Sequence, residues 1–306
     1  MNVLIVGATG DVGSQTAKFA VKKGHRVRAL VRPTSKKERL GEAKDQVEFV
    51  EGDMLDRTSL ERAMDGVDGV VIAIRLTEQE KKRGRTYEDV ELNGVKNVVE
   101  AAGKKGLKKI ILVSAAGVGP HCLSDMYSAK FRSEDAVRNS GIDYTIFQPS
   151  GMFKDFDFFH IPTIIKMGKA NKWMSPIHFH MSPLSHINLA ECMADALTNP
   201  KASNKTVEIG GPDCITQGEL LNMIAREAGI ETEYVEGISK EDLIERVKSN
   251  PQSSFFTAEQ IMDFFNDKIL DYTVVDEMFG IEFQHVGDYL KEAVPRVKAA
   301  MAKQGK

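Results

Sequence analysis

The chain begins with an apolar run, Asn2 to Val6, that passes through a glycine-rich stretch into a segment whose apolar residues recur at helical spacing. This alternation of two periods continues to Pro149. Short β-branched runs without polar interruption read as strands buried on both faces, and the longer segments between them as helices with one apolar face. The pattern predicts strands at Asn2 to Val6, Arg26 to Val31, Val47 to Glu51, Gly69 to Ala73, Lys109 to Val113 and Tyr144 to Gln148, with helices near 11–23, 57–65, 87–104 and 125–140. Six strands joined by helical crossovers make an α/β, doubly wound parallel sheet.

After Pro149 the texture changes. Residues 151–181 hold Phe153, Phe156, Phe158, Phe159, Met167, Trp173, Met174 and Phe179 without strand–helix alternation, which predicts the core and pocket wall of a lobe that lines an apolar pocket. Leu184 to Leu197 returns to helical spacing, Val207 to Gly210 reads as a short strand, and Thr216-x-x-Glu219 is a capping box opening a helix to Glu227. The remainder reads as short helices and turns ending in a frayed tail, Lys303 to Lys306. The expected organisation is an α/β domain at 1–150, rejoined by 182–200, and a smaller discontinuous C-terminal lobe from 151–181 and 201–306.

The first strand runs into Gly7-Ala8-Thr9-Gly10-Asp11-Val12-Gly13 and then a helix. One glycine lets the chain turn off the strand, the next lets backbone approach a pyrophosphate, and Gly13 allows close packing of helix on sheet. The start of the helix adds N–H groups and a positive dipole end. Strand, loop and helix together predict a Rossmann-type dinucleotide site. A carboxylate about 20 residues further on would meet the ribose of NAD, whereas an arginine accommodates the extra phosphate of NADP. At the tip of the second strand stands Arg32, followed by Ser35, Lys36 and Lys37, with no competing carboxylate. NADP (NADPH) is therefore the expected cofactor; the alternative is a solvated basic loop.

Composition narrows the class. At 306 residues, 42% hydrophobic and 28% charged, the chain is globular, and a formal net charge of −3 without a basic block argues against nucleic acid as a partner. Cys122, Cys192 and Cys214 lie far apart without a CxxC, which fits a reducing, cytoplasmic compartment. No apolar stretch approaches the ~18 residues of a membrane span. His160, His178, His180, His186 and Cys192 invite a metal reading, but without a carboxylate at matching spacing no metal is expected.

The segments GATGDVG, HRVRALVRP, EFVEGDMLD, ELNGVKNVVEAAGKKGLKKIILVSAAGV and KFRSEDAVRNSGIDYTIFQPSGMF, with SPLSHINLAECMADAL and VEIGGPDCITQGELL later, resemble the atypical, extended branch of the short-chain dehydrogenase/reductase superfamily. Within it the chain is similar to the NmrA-like group, with its divinyl chlorophyllide reductase-like and complex I accessory subunit-like relatives. The resemblance implies that Asp53 and Met54 border the adenine and that Ala73, Ile74 and Arg75 run along the phosphates and ribose. It further implies that Lys130 holds the nicotinamide ribose, that Ser114 takes the place of a catalytic serine, and that Asn93 takes the place of a helix-kinking asparagine. Pro149, Ser150, Gly151 and Met152 would pass by the nicotinamide.

The superfamily's proton donor is a tyrosine four residues before the lysine, where both side chains share a helix face. Here that residue is Met126, and Tyr127 stands three before Lys130, turned by about 100° around the helix axis. Tyr127 is thus a candidate proton donor, with an ordinary half-buried tyrosine as the competing reading. The expected function is hydride transfer from NADPH to a small, apolar carbonyl, quinone or enone. The alternative, which Met126 favours, is a non-catalytic NADP-binding redox sensor, regulator or assembly factor acting on a protein partner.

Overall fold

The structure, a computed structural model, describes residues 1–169, 171–250 and 256–304. From the N-terminus the elements are β1 (Asn2–Val6), α1 (Asp11–Lys22), β2 (Arg26–Val31), a 3₁₀ stretch (Lys37–Gln46), β3 (Val47–Glu51), α2 (Arg57–Ala63), β4 (Gly69–Ile72), α3 (Glu78–Lys81), a π-helical turn (Glu88–Asn93), α4 (Gly94–Lys105), β5 (Lys109–Val113), α5 (Asp125–Arg138) and β6 (Asp143–Pro149). There follow α6 (Phe153–Asp155), a second π-helical turn (Phe156–His160), α7 (Ile161–Met167), β7 (Lys172–Trp173), β8 (His180–Met181), α8 (His186–Asp195) and β9 (Lys205–Ile209). Last come β10 (Ile215–Thr216), α9 (Gln217–Glu227), β11 (Glu236–Gly237), α10 (Lys240–Ser249), α11 (Ala258–Phe264), α12 (Tyr272–Phe279) and α13 (Val286–Gln304).

The main sheet has the order β3-β2-β1-β4-β5-β6-β9. β1 pairs in parallel with β2 on one side, Val6 beside Leu30, and with β4 on the other, Val6 beside Ile72. The chain winds outward in both directions from β1, so the carboxyl ends of β1 and β4 diverge at a topological switch point, where this architecture leaves a crevice for ligands. The six strands read from apolar runs are all present, because Val3, Leu4, Ile5, Val70, Val71, Ile110 and Ile111 have no exposed surface and a sheet covered on both faces requires such runs. On one face Leu4, Val6, Val70, Ile72, Ile110 and Leu112 pack with Leu60, Met64, Val95 and Val98 into a continuous core. Each such side chain contributes roughly 1.5–3 kcal/mol on burial.

By compactness the described residues fall into two units: Met1–Pro149 with His186–Glu208 and Val274–Ile281, and Ser150–Ser185 with Ile209–Thr273 and Glu282–Lys306. In the first, α8 lies on α1, with Lys23 Nζ 2.8 Å from Asp195 Oδ1, and the rings of Phe147 and Phe279 lie 5.8 Å apart. The second is built around Phe153, Phe156, Ile161, Ile164, Leu220, Ile224 and Leu290. Inside it Asp157 accepts from Tyr289 at 2.8 Å and pairs with Lys154 at 2.7 Å and Arg296 at 3.0 Å. The boundaries differ from the expected ones: 182–185 belong with the second unit, and 201–208 and 274–281 with the first.

Three local expectations are corrected. The aromatic stretch after Pro149, expected without regular alternation, is helical from Phe153 to Met167; Phe153 and Phe156 lie in the core, and Phe158, Phe159 and Met174 are the exposed ones. The helix foreseen near 87–104 opens with a π-helical turn before α4. The chain's last described helix, α13, runs 19 residues straight through Pro295 and includes Lys303 and Gln304 of the supposed tail; residues 305 and 306 lie outside the described residues. Among the described residues no helix is long and apolar enough to cross a membrane.

Candidate functional site

The glycine loop joins β1 to α1. Gly7 has φ +89°, and a Cβ there would lie 2.1 Å from the Ala73 carbonyl oxygen at the end of β4, so only glycine makes this turn. A Cβ on Gly13 would lie 2.2 Å from the Gly7 carbonyl oxygen, so the first turn of α1 rests directly on the loop. Gly10 N–H donates to the Gly7 carbonyl at 2.9 Å, and Gly10 opens α1 without a side-chain cap. The first amides of the helix therefore have no intrahelical acceptor, the arrangement that receives phosphate oxygens. Ala8 is buried beneath the loop. Asp11 places a carboxylate at the positive helix end, and Arg39 of the 3₁₀ stretch meets it at 3.2 Å while also donating to the Thr9 carbonyl at 3.3 Å. Nothing in the sequence around Arg39 marks it for the loop. Ala73 N–H donates to the Val6 carbonyl at 3.0 Å and Ile74 Cγ2 lies against Gly7, while Arg75 is exposed.

At the tips of β2 and β3 an open cleft of about 360 Å³ is lined by Arg32, Pro33 and Thr34, by Glu51, Gly52 and Asp53, and by Arg83 from beyond α3. That is the size of a small-ligand site. Asp53 lines the cleft, its Oδ1 accepting the Leu55 N–H at 3.0 Å. Met54 does not: its side chain fills the core against Gly94, where a Cβ would come 1.9 Å from Met54 Cε, and its carbonyl accepts from Asn97 at 3.2 Å. Lys36 is exposed, and Lys37 lies over the Phe49 ring at 4.8 Å.

The expectation that no carboxylate competes for Arg32 is overturned. Glu80 is almost fully buried, and its Oε1 accepts from Arg32 and, at 2.9 Å, from Arg83. Thr77 caps α3 and Gly84 ends the turn in the left-handed region, which delivers both Glu80 and Arg83 to the β2 tip from nearly fifty residues away.

At the carboxyl end of β5, Ser114 N–H donates to the Phe147 carbonyl at 2.7 Å, and its buried Oγ has no hydrogen-bond partner among the described residues. Tyr127 is 3% exposed, not half-buried, and its hydroxyl donates to the Ala116 carbonyl at 3.2 Å. Lys130 is buried with its Nζ 2.8 Å from Glu91 Oε2, while Glu91 Oε1 accepts the Leu76 N–H at 2.8 Å. Sequence reasoning missed Glu91. The wider π-helical turn displaces the register by a residue, so Glu91 faces inward and Asn93, the expected kink residue, is exposed. Glu91 lies between Val90 and Leu92, and that apolar flanking is the one local sign of its burial.

Pro149 ends β6, its carbonyl accepting the Ala116 N–H at 2.8 Å. Ser150, Gly151 and Met152 belong to the second unit, where Ser150 donates to the Ser182 carbonyl, Gly151 accepts from Leu184 N–H at 2.8 Å and Met152 bridges to Leu184. Among the described residues no group of three or more His, Cys, Asp or Glu side chains is placed to hold a metal.

The first unit thus offers a phosphate-sized backbone cradle at the switch point, a cleft at the β2 and β3 tips, and a buried ammonium–carboxylate pair with an unengaged hydroxyl at the β5 and α5 end. These features fit a dinucleotide. Over 231 residues the chain is 28% identical to Protein TIC 62, chloroplastic, of Pisum sativum, a match covering 68% of this chain and 42% of that protein, so it spans less than half of that relative. It is 24% identical to Photosystem II assembly factor Ycf39 of Cyanophora paradoxa, covering 75% of this chain and 69% of that one. In fold it is similar to the Escherichia coli NADPH-dependent quinone oxidoreductase QOR2 complexed with NADPH, with a TM-score of 0.77, 18% identity, and coverage of 95% of this chain and 99% of that chain. The family model described as NAD(P)H-binding matches residues 7–200, more than half of the chain and all of the loop and cleft described above, and the chain belongs to that NAD(P)H-binding family.

Proposed function

We propose that the protein is an NADPH-dependent reductase that delivers hydride to a small, apolar carbonyl, quinone or enone in the cytoplasm. The observation that carries the reading is the buried Lys130–Glu91 pair together with Ser114 at the carboxyl end of β5, whose hydroxyl is unengaged among the described residues, at the strand ends where this architecture binds its ligand. NADPH bound at the loop and cleft supplies the hydride. The amides of Gly10 to Gly13 and the loop carried by Ala8 and Thr9 hold its pyrophosphate; Arg32 and Lys36 meet its 2′-phosphate; Asp53 and the Ala73 to Arg75 segment flank its adenosine half. Lys130, fixed by Glu91, donates to the nicotinamide ribose. Ser114 Oγ hydrogen-bonds the acceptor oxygen, and the proton comes from Tyr127 or from water. An apolar acceptor is supported by the Met- and Phe-rich composition of residues 151–181.

A second reading has its own observation. Met126 stands where a catalytic tyrosine would be, and the Tyr127 hydroxyl is already committed to the Ala116 carbonyl. This favours a cofactor-binding regulator or an assembly factor, and the name of the Cyanophora relative calls that protein an assembly factor. The two are separated by titrating NADPH and NADH by fluorescence, then screening quinones, aldehydes and enones for NADPH oxidation by the wild type, Lys130→Ala and Tyr127→Phe. Turnover lost in Lys130→Ala supports the reductase; tight NADPH binding with no turnover on any class refutes it in favour of the second reading.

A further inference from the structure

We propose that Arg83 is a specificity-determining residue that joins Arg32 in a two-guanidinium clamp for the 2′-phosphate of NADP, with Glu80 positioning both. The assignment rests on the NADPH reading and deepens it. Arg32 occupies the tip of β2, the position from which this architecture meets the adenosine ribose, but its charge is cancelled by Glu80, which is buried and within hydrogen-bond reach. Arg32 alone would meet a phosphate dianion with no net charge. Arg83 shares the same Glu80 oxygen at 2.9 Å, lines the same cleft, and leaves the Arg32–Glu80–Arg83 triad itself with one net positive charge. Glu51 is exposed and Asp53 is turned onto the Leu55 N–H, so neither carboxylate occupies the guanidinium donors. Both arginines keep more than a third of their side-chain surface exposed. Each retains N–H groups beyond the one given to Glu80, and a planar fork of five donors suits a phosphate face.

The test uses the full chain and calorimetric titration of two ligand pairs, 2′,5′-ADP against 5′-ADP and NADPH against NADH. Wild type is compared with Arg83→Gln, Arg32→Gln and Lys82→Gln, the last removing an exposed neighbouring charge that does not line the cleft. Loss of one charge-assisted contact predicts an affinity about tenfold weaker for 2′,5′-ADP and NADPH in either arginine variant, with 5′-ADP and NADH changed less than about twofold. Lys82→Gln is expected to behave as wild type. If Arg83→Gln behaves like Lys82→Gln while Arg32→Gln loses the preference, or if it weakens both members of each pair equally, the clamp is overturned and the NADPH reading stands. If the wild type binds NADH as tightly as NADPH, both are overturned.

Discussion

Replacing Glu91 by alanine is the most direct way to ask whether the buried pair in the first unit is a structural necessity of the Lys130 site. In the wild type the two side chains are 10% and 3% exposed and 2.8 Å apart. Removing one partner leaves an ammonium sealed from water without a counter-charge, which costs about 3–5 kcal/mol. The Leu76 N–H loses its acceptor as well, adding about 1 kcal/mol. At roughly 2–4 °C per kcal/mol for a unit of this size, Glu91→Ala should melt at least about 6 °C below wild type. The sharper measurement is a double-mutant cycle by urea unfolding. Glu91→Leu combined with Lys130→Met replaces the pair by apolar groups of similar volume and should recover most of the loss, since such replacements are often neutral or stabilising. Glu91→Gln, which keeps an acceptor for Leu76, should fall between. An alanine variant that loses less than about 1 kcal/mol, or a double variant no better than the sum of its singles, would refute the reasoning.

Three further outcomes are expected. Gly13→Ala drives a Cβ into the Gly7 carbonyl and should both lower the melting temperature and abolish detectable cofactor binding, whereas Gly24→Ala, at positive φ but in open space, should cost about 1 kcal/mol and leave binding intact; thermal melts with and without NADPH check both. Burial pushes the His160 imidazole down to about 4, below its ordinary 6.5, so the unfolded chain takes up a proton between those values that the folded chain does not. This contribution to stability is intact above pH 6.5 and falls by at most about 3 kcal/mol as the pH drops to 4; a melting profile against pH should show the acid-side loss in wild type and a flatter limb in His160→Phe. Tyr127→Phe removes the hydrogen bond to the Ala116 carbonyl and should cost about 1 kcal/mol in chemical denaturation.

What could be read from the chain beforehand, and what could not, follows the range of the interactions. The strands β1 to β6 announce themselves because a sheet covered on both faces demands unbroken apolar runs, and the glycine loop because three backbone approaches demand three hydrogen side chains. Arg32 is legible from its distance beyond that loop. Glu80 and Arg83 are not, since α3 is four residues of polar sequence whose importance comes from where β4 points it. Glu91 escapes for a different reason: regular helical periodicity from residue 87 places it elsewhere on the helix surface, and the π-helical turn that brings it inward has no strong local signature. Pro295 argues for a helix break, yet α13 continues past it because the face formed by Leu290, Ala293, Val294 and Val297 is buried in the core of the second unit, and packing outweighs one lost backbone bond. The aromatic run after Pro149 does not sort itself residue by residue, because core and pocket wall have the same composition.

The first unit is assembled from three separated stretches, the last of them Val274–Ile281. On a ribosome adding roughly 5–20 residues each second, several seconds or more separate the emergence of Pro149 from that of Phe279, the ring that meets Phe147. The nascent strands thus wait, with that end of the sheet lacking its native cover, until the Val274–Ile281 stretch has been made. A translational pause between residues 150 and 270 would lengthen this exposure and raise the demand for chaperones, whereas a pause after Ile281 would fall once every stretch of the unit has been synthesised.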